Sequence, residues 1–198
     1  MRFIDSHCHL DNEQFDADRD AVIERALAAG VEEIVAIGTG DGPPDLEAGV
    51  RLAERYPAFY ATVGVHPHDA AKATEETYLR LAALLAHPKV VAAGEMGLDY
   101  HYNLSRPDVQ RAVFVEQMSI ARDARKPIVI HTREAWGDTI ALLQQHDGLI
   151  GGQLDPDSDE RNLDHLHRLR LRPPEGLTPN IIALVYSPGA GTDVISFG

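Results

Sequence analysis

A single cysteine, Cys8, stands in this chain of 198 residues, so an internal disulfide is excluded. Strand alternation turns it away from its two flanking imidazoles, and it is expected to pack against apolar neighbours rather than act as a nucleophile. Basic residues are also scarce: 18 Lys plus Arg against 31 Asp plus Glu leave a net charge of −13. That balance excludes a generic basic coat for nucleic acid, but not a site that meets phosphate locally with the help of metal ions. No apolar run approaches membrane-spanning length, and the start Met1-Arg2-Phe3-Ile4-Asp5-Ser6-His7 meets an acid and an imidazole too soon for a signal peptide. Cytoplasm is the expected compartment, with no membrane partner. Aromatics make up only 6%, yet 44% apolar residues suffice for a sizeable core.

What is present is an alternation. Short β-rich runs precede helical patterns: Phe3-Ile4, then a helix over 20–29; a strand over 33–37, then a helix beginning on Pro44 and running to Arg55; a strand over 59–65, then a helix over 75–86. A fourth strand over 89–93 precedes a long amphipathic helix over 107–125, and a fifth over 127–131 precedes a helix over 135–145. Strand–helix alternation implies a parallel sheet with right-handed crossovers, in a doubly wound or a barrel form. The polar residues decide between them. His7, His9, His66, Glu95 and His131 follow the carboxyl ends of different strands, where a TIM barrel gathers its chemistry around one axis.

His7 and His9 flank one residue at a strand end, so both imidazoles are expected on one side, a natural half-site for a divalent transition metal. Glu95 lies between Gly94 and Gly97, where the backbone is expected to turn tightly. Arg133 follows His131 by two residues and carries a planar guanidinium suited to phosphate, though a surface salt bridge is the competing assignment. His66 and His68 are candidates for the site or for core and capping roles. Asp99 is expected to orient a ligand or fix its loop, and Asp5 to hold an imidazole. His87, His101 and His146 are expected to face solvent.

From about residue 150 the pattern fails: five prolines, no lysine, an acidic run from Asp155 to Glu160, and Arg168-Leu169-Arg170-Leu171-Arg172. Only 181–186 and 194–197 still read as strands. A full barrel takes roughly 250 residues, so the expectation is an incomplete α/β barrel over 1–149 and an irregular segment over 150–198. The edge of the fifth strand is then expected to lie open, with self-association as the consequence.

Four segments line up: Phe3-Ile4-Asp5-Ser6-His7-Cys8-His9-Leu10-Asp11, Val63-Gly64-Val65-His66-Pro67-His68, Gly94-Glu95-Met96-Gly97-Leu98-Asp99-Tyr100 and Ile128-Val129-Ile130-His131-Thr132-Arg133. Together they resemble the TatD family of metal-dependent deoxyribonucleases, TIM-barrel hydrolases. The resemblance implies two divalent ions (Zn, Mn, Mg, Co or Ni), one on His7, His9 and Glu95 and the other on Glu95 and His131. Glu95 would serve as the catalytic bridging carboxylate, with His66 and Arg133 near the substrate, a phosphodiester of DNA. The family also carries a histidine in a His-Cys-Phe-like segment at the sixth strand and an aspartate in a Thr-Asp-Ala-Pro-like segment at the eighth; neither motif occurs here. Each ion would be one ligand short, and impaired activity is expected. Two alternatives stay open: an amidohydrolase-type enzyme cleaving amide or ester bonds, and an inactive metal-binding fragment. The segment Gly94-Glu95-Met96-Gly97-Leu98-Asp99-Tyr100, with glutamate and not a lysine that could be carbamylated at the fourth-strand site position, favours the nuclease over the amidohydrolase.

Overall fold

In the computed structural model, residues 3–146 are described in full, together with the backbone of two further strands at 182–186 and 194–197. The element order is β1 (Phe3–Cys8), α1 (Arg19–Ala28), β2 (Val31–Ile37), α2 (Ala48–Arg55), β3 (Phe59–Val63), α3 (Glu75–Leu84), β4 (Val90–Asp99), α4 (Pro107–Asp123), β5 (Ile128–Arg133) and α5 (Trp136–Gln145), followed by β6 (Ile182–Tyr186) and β7 (Val194–Phe197). Strands β1 to β5 pair in sequential order, each parallel to the next, and curl as half a barrel. The fold class read from the sequence is the fold observed.

Parallel strands covered by helices bury both faces, and their composition shows it. Ile34 and Ala36 of β2, Phe59, Ala61 and Val63 of β3, and Ile128 and Ile130 of β5 belong to the main core beneath the helices. Alternate residues Ile37, Ala92 and Val129 form a second, smaller cluster on the other face. Cys8 packs against the main core, and burial pushes its thiol up to about 12. A thiol so buried is inert at neutral pH.

Three local expectations change. The second helix starts at Ala48, not at Pro44. The Asp45 carboxylate accepts from the Glu47 backbone N–H and from Arg51, holding residues 45–47 in a side-chain-bonded turn ahead of the helix. The fourth strand runs on through Glu95 to Asp99, so Glu95 lies within a strand and not in a loop beyond it. The far edge of β5, expected to lie open, is paired antiparallel with β6, Ile128 opposite Tyr186 and Ile130 opposite Leu184. That ladder satisfies backbone groups an exposed edge would leave bare. The expected domain boundary near 149 and the rest of the irregular segment lie outside the described residues.

Candidate metal centre

Two β-bulges aim the site. Between Asp5 and Cys8, β1 advances three residues while β2 advances two, from Ile34 to Ala36. Strict alternation is broken there and His9 lies just past the strand, yet His7 Nε2 and His9 Nε2 come within 3.2 Å of each other. Asp5 supports this turn by accepting the His7 backbone N–H rather than by holding an imidazole. Likewise β4 advances from Ala93 to Met96 while β5 advances only from Ile128 to Ile130. An extra residue in one strand re-aims the side chain beside it, and here that side chain is Glu95, only 2% exposed. Gly94 and Gly97 make this possible, at φ +137° and +142°, where side chains are rarely tolerated. A Cβ on Gly94 would collide with the Val129 carbonyl, and one on Gly97 with the His131 carbonyl.

The polar groups form two joined sets. Glu95 Oε2 lies 4.0 Å from His9 Nε2, and Glu95 Oε1 lies 3.3 Å from His131 Nδ1. His66 Nε2 lies 3.1 Å from His131 Nδ1, while His131 Nε2 and His68 Nε2 meet Asp99 Oδ2 at 3.1 and 2.8 Å. The backbone fixes the proton positions in this chain. His68 N–H donates to His66 Nδ1, so a neutral His66 carries its proton on Nε2 and donates it to His131 Nδ1. His131 then carries its proton on Nε2 and donates to Asp99. His131 Nδ1 also lies beside Glu95 Oε1, and that carboxylate oxygen is buried without a hydrogen bond.

Such an arrangement asks for a cation. Burial lowers the His66 imidazole to about 3 and holds His7 below the usual range, so both are neutral near pH 7. Burial would raise the Glu95 carboxyl, but the His131, His66 and His7 imidazoles outweigh it and hold it at about 2. Neutral imidazoles and an ionised carboxylate are the protonation states a metal requires. His7, His9 and Glu95 offer donor atoms all within 4.8 Å of one another, and so do His66, His68 and His131. Ligands of one ion at 2.0–2.2 Å stand about 3 to 4 Å apart. The donor set therefore fits a divalent ion, and two of its side chains, His7 and Glu95, each keep a buried polar atom without a hydrogen-bond partner.

The structure thus brings His7, His9, Glu95, His66 and His131 into one cluster, with His68 and Asp99 joined to it. Arg133 lies at the margin, its guanidinium 4.6 Å over the Tyr102 ring, and it makes no ion pair among the described residues. His101 is exposed beside Glu134, whereas His87 and His146 are half-buried. Two supporting residues went unremarked in the sequence, Gln110 and Gln117, both buried on α4. Gln117 accepts from the Val65 N–H at 2.7 Å and donates to its carbonyl at 3.0 Å, fixing the chain next to His66. Gln110 does the same for Asp99, at 2.7 and 3.0 Å. Their only signal was a pair of amides among apolar positions of an amphipathic helix. Gln117→Met, similar in volume, leaves both Val65 groups unpaired and is expected to cost about 2–4 kcal/mol. Urea denaturation reads the loss, and a midpoint unchanged from the parent chain would show that the amide is dispensable.

Comparison with known proteins places this geometry in a family. Residues 4–152 match the family described as TatD related DNase. An uncharacterised metal-dependent hydrolase, YabD of Bacillus subtilis, is 43% identical over 149 residues, 75% of this chain and 58% of the relative. A protein of Cronobacter turicensis named 3′-5′ ssDNA/RNA exonuclease TatD is 42% identical over 135 residues, 68% of this chain and 51% of the relative. The chain therefore spans little more than half the length of these relatives. Among solved structures, YJJV, a TatD homologue from Escherichia coli K12, superposes with a TM-score of 0.67 at 31% identity, covering 82% of this chain and 65% of that one. The phosphotriesterase homology protein of Escherichia coli, at 16% identity and a TM-score of 0.55, shares the fold over 84% of this chain and 67% of its own. No helix among the described residues is long and apolar enough to cross a membrane. With most of its length matched to one family and its half-barrel shared with a solved homologue, the chain belongs to the TatD-related DNases.

Proposed function

We propose that this chain hydrolyses phosphodiester bonds of DNA with two divalent ions, one held by His7, His9 and Glu95 and the other by Glu95 and His131. The observation that carries the reading is the Glu95 carboxylate, buried in the protein with one oxygen toward His9 and the other toward His131. When bound, divalent ions supply Lewis acidity toward a phosphodiester and an acidified water. The protein's part is placement. Glu95 bridges the two donor sets, His66 presents an N–H beside them, and Arg133 brings a guanidinium with no carboxylate partner among the described residues to meet phosphate oxygens. Relatives named as single-stranded DNA/RNA exonucleases support a nucleic-acid substrate.

Turnover is expected to be low. The later-strand histidine and aspartate motifs of the family have no counterpart in the sequence, and one missing ligand or supporting group commonly costs about 10- to 100-fold. The test is equilibrium dialysis of the full chain against manganese or magnesium, followed by digestion of a labelled single strand. Chelator-sensitive cleavage well below that of a full-length relative is expected. Retention of no more metal than a heat-denatured control would sink the proposal. The outer edge of β1, with Phe3 46% and Ile4 64% exposed, has no strand beside it among the described residues, and self-association there is expected in light scattering of the same sample. A monomer at all concentrations would refute that part.

A further inference from the structure

We propose that Tyr102, with Arg133 stacked on it, is a nucleobase platform that makes the site prefer strands carrying an unpaired base. The inference rests on the nucleic-acid reading above and goes further by assigning how the base itself is recognised. Tyr102 belongs to the segment that follows β4, on the side where the parallel strands deliver their metal-binding residues. Its side chain is 53% exposed even though the Arg133 guanidinium lies 4.6 Å over the ring. Exposure alone would mean little, since a tyrosine at a surface is ordinary. Its placement is what carries the argument.

The Tyr102 backbone N–H donates to Asp99 Oδ1 at 2.9 Å, while the other oxygen of that fully buried carboxylate holds His68 and His131. The ring is therefore tied to the metal-binding cluster through one side chain. Its plane crosses those of His68 and His101 at nearly right angles, with centroids 5.4 and 4.7 Å away, and the residue still keeps 53% of its surface exposed. Arg133 reaches the ring from the end of β5, two residues beyond His131. An aromatic face with an unpaired cation beside it suits one unit of a nucleic acid: the ring takes a base and the guanidinium takes the adjoining phosphate. A base buried in a duplex stack has no free face to offer, so the platform selects single strands or frayed ends. In a chain of net charge −13, a cation with no carboxylate partner among the described residues also gives the substrate phosphate a local point of attraction at the site margin.

The test is fluorescence anisotropy of the full chain in chelator, with a labelled oligothymidylate and an abasic phosphodiester of the same length. Stacking of one base on an aromatic side chain corresponds to about a 5- to 100-fold gain in affinity, which is the expected preference for the base-bearing strand. Tyr102→Ala should erase that preference and leave abasic binding unchanged, which also shows that the variant is folded. Tyr102→Trp should keep it, and Arg133→Gln should weaken both strands alike. Equal affinity of the parent chain for the two strands overturns the platform while leaving the nuclease reading standing. Retained preference in Tyr102→Ala overturns the assignment to that residue. Binding of neither strand overturns the platform, and the metal-loaded digestion described above decides the nucleic-acid reading separately.

Discussion

Glu95→Ala is expected to weaken divalent-ion binding, and the proposed metal-dependent cleavage with it, by at least about 100-fold, beyond the usual effect of losing a supporting group. The carboxylate is the anion of the His7, His9 and Glu95 donor set, and its two oxygens face His9 and His131 from a position 2% exposed. Without it, that set keeps only imidazoles to meet a doubly charged ion. Glu95→Gln is the sharper variant, since it keeps the shape and removes the charge. Its melt in chelator reads whether the fold survives removal of the charge. Isothermal titration with manganese, beside a melt in chelator, separates loss of binding from loss of fold. If Glu95→Gln bound manganese within about twofold of the parent, where removal of a metal-centre group normally costs tenfold or more, the bridging assignment would fail.

Gly97→Ala should leave little folded protein. The residue sits at φ +142°, and an added Cβ would run into the His131 carbonyl on the adjacent strand. Backbone strain and a clash with backbone both act, and neither can be relieved by a side-chain rotation. A cost above about 4 kcal/mol is expected, against a total stability of roughly 5–15 kcal/mol for a domain. Gly137→Ala is the control, for it makes the same chemical change in α5, where nothing lies within 4 Å of the new Cβ. There, alanine should stabilise by about 0.4–1 kcal/mol, since it narrows the unfolded ensemble and favours helix. Chemical denaturation of the two variants should move in opposite directions. A well-folded Gly97→Ala chain would mean that β4 and β5 lie farther apart than described.

The βα alternation was legible because apolar periodicity is written into each element. Phe59–Val63 and Ile128–Arg133 are nearly continuous β-prone runs, and the helix over Pro107–Asp123 repeats its apolar face every three or four residues. The gathering of His7, His9, Glu95 and His131 was likewise visible, since strand ends in a parallel barrel point to one mouth. The bulges were not. An alternation rule assumes regular strands, and it ended the fourth strand at Ala93, ahead of Gly94-Glu95, when the strand continues with an extra residue. The proline rule failed at Pro44 because a side-chain turn at Asp45 competes with the helix start. Gln110 and Gln117 escaped notice because their importance depends on which backbone lies opposite them, a fact of tertiary packing with no local trace.

Those two glutamines have a consequence for how the chain tolerates insertions. They are seven residues apart, so they stand about 10 Å apart along α4 and within about 20° of the same face, since each residue rises 1.5 Å and turns 100°. The helix thereby acts as a ruler laid across two neighbouring strand ends, touching the chain just past β3 at Val65 and the last residue of β4 at Asp99. A single residue inserted between the two marks would swing one amide about 100° away and lengthen the gap by about 1.5 Å. Either His66 or Asp99 would then lose its backbone support, with no change to any residue that faces the metal centre. Lengthening the chain anywhere between the strands is therefore not equivalent: the connections can absorb a residue, whereas the interior of α4 is held to a fixed count.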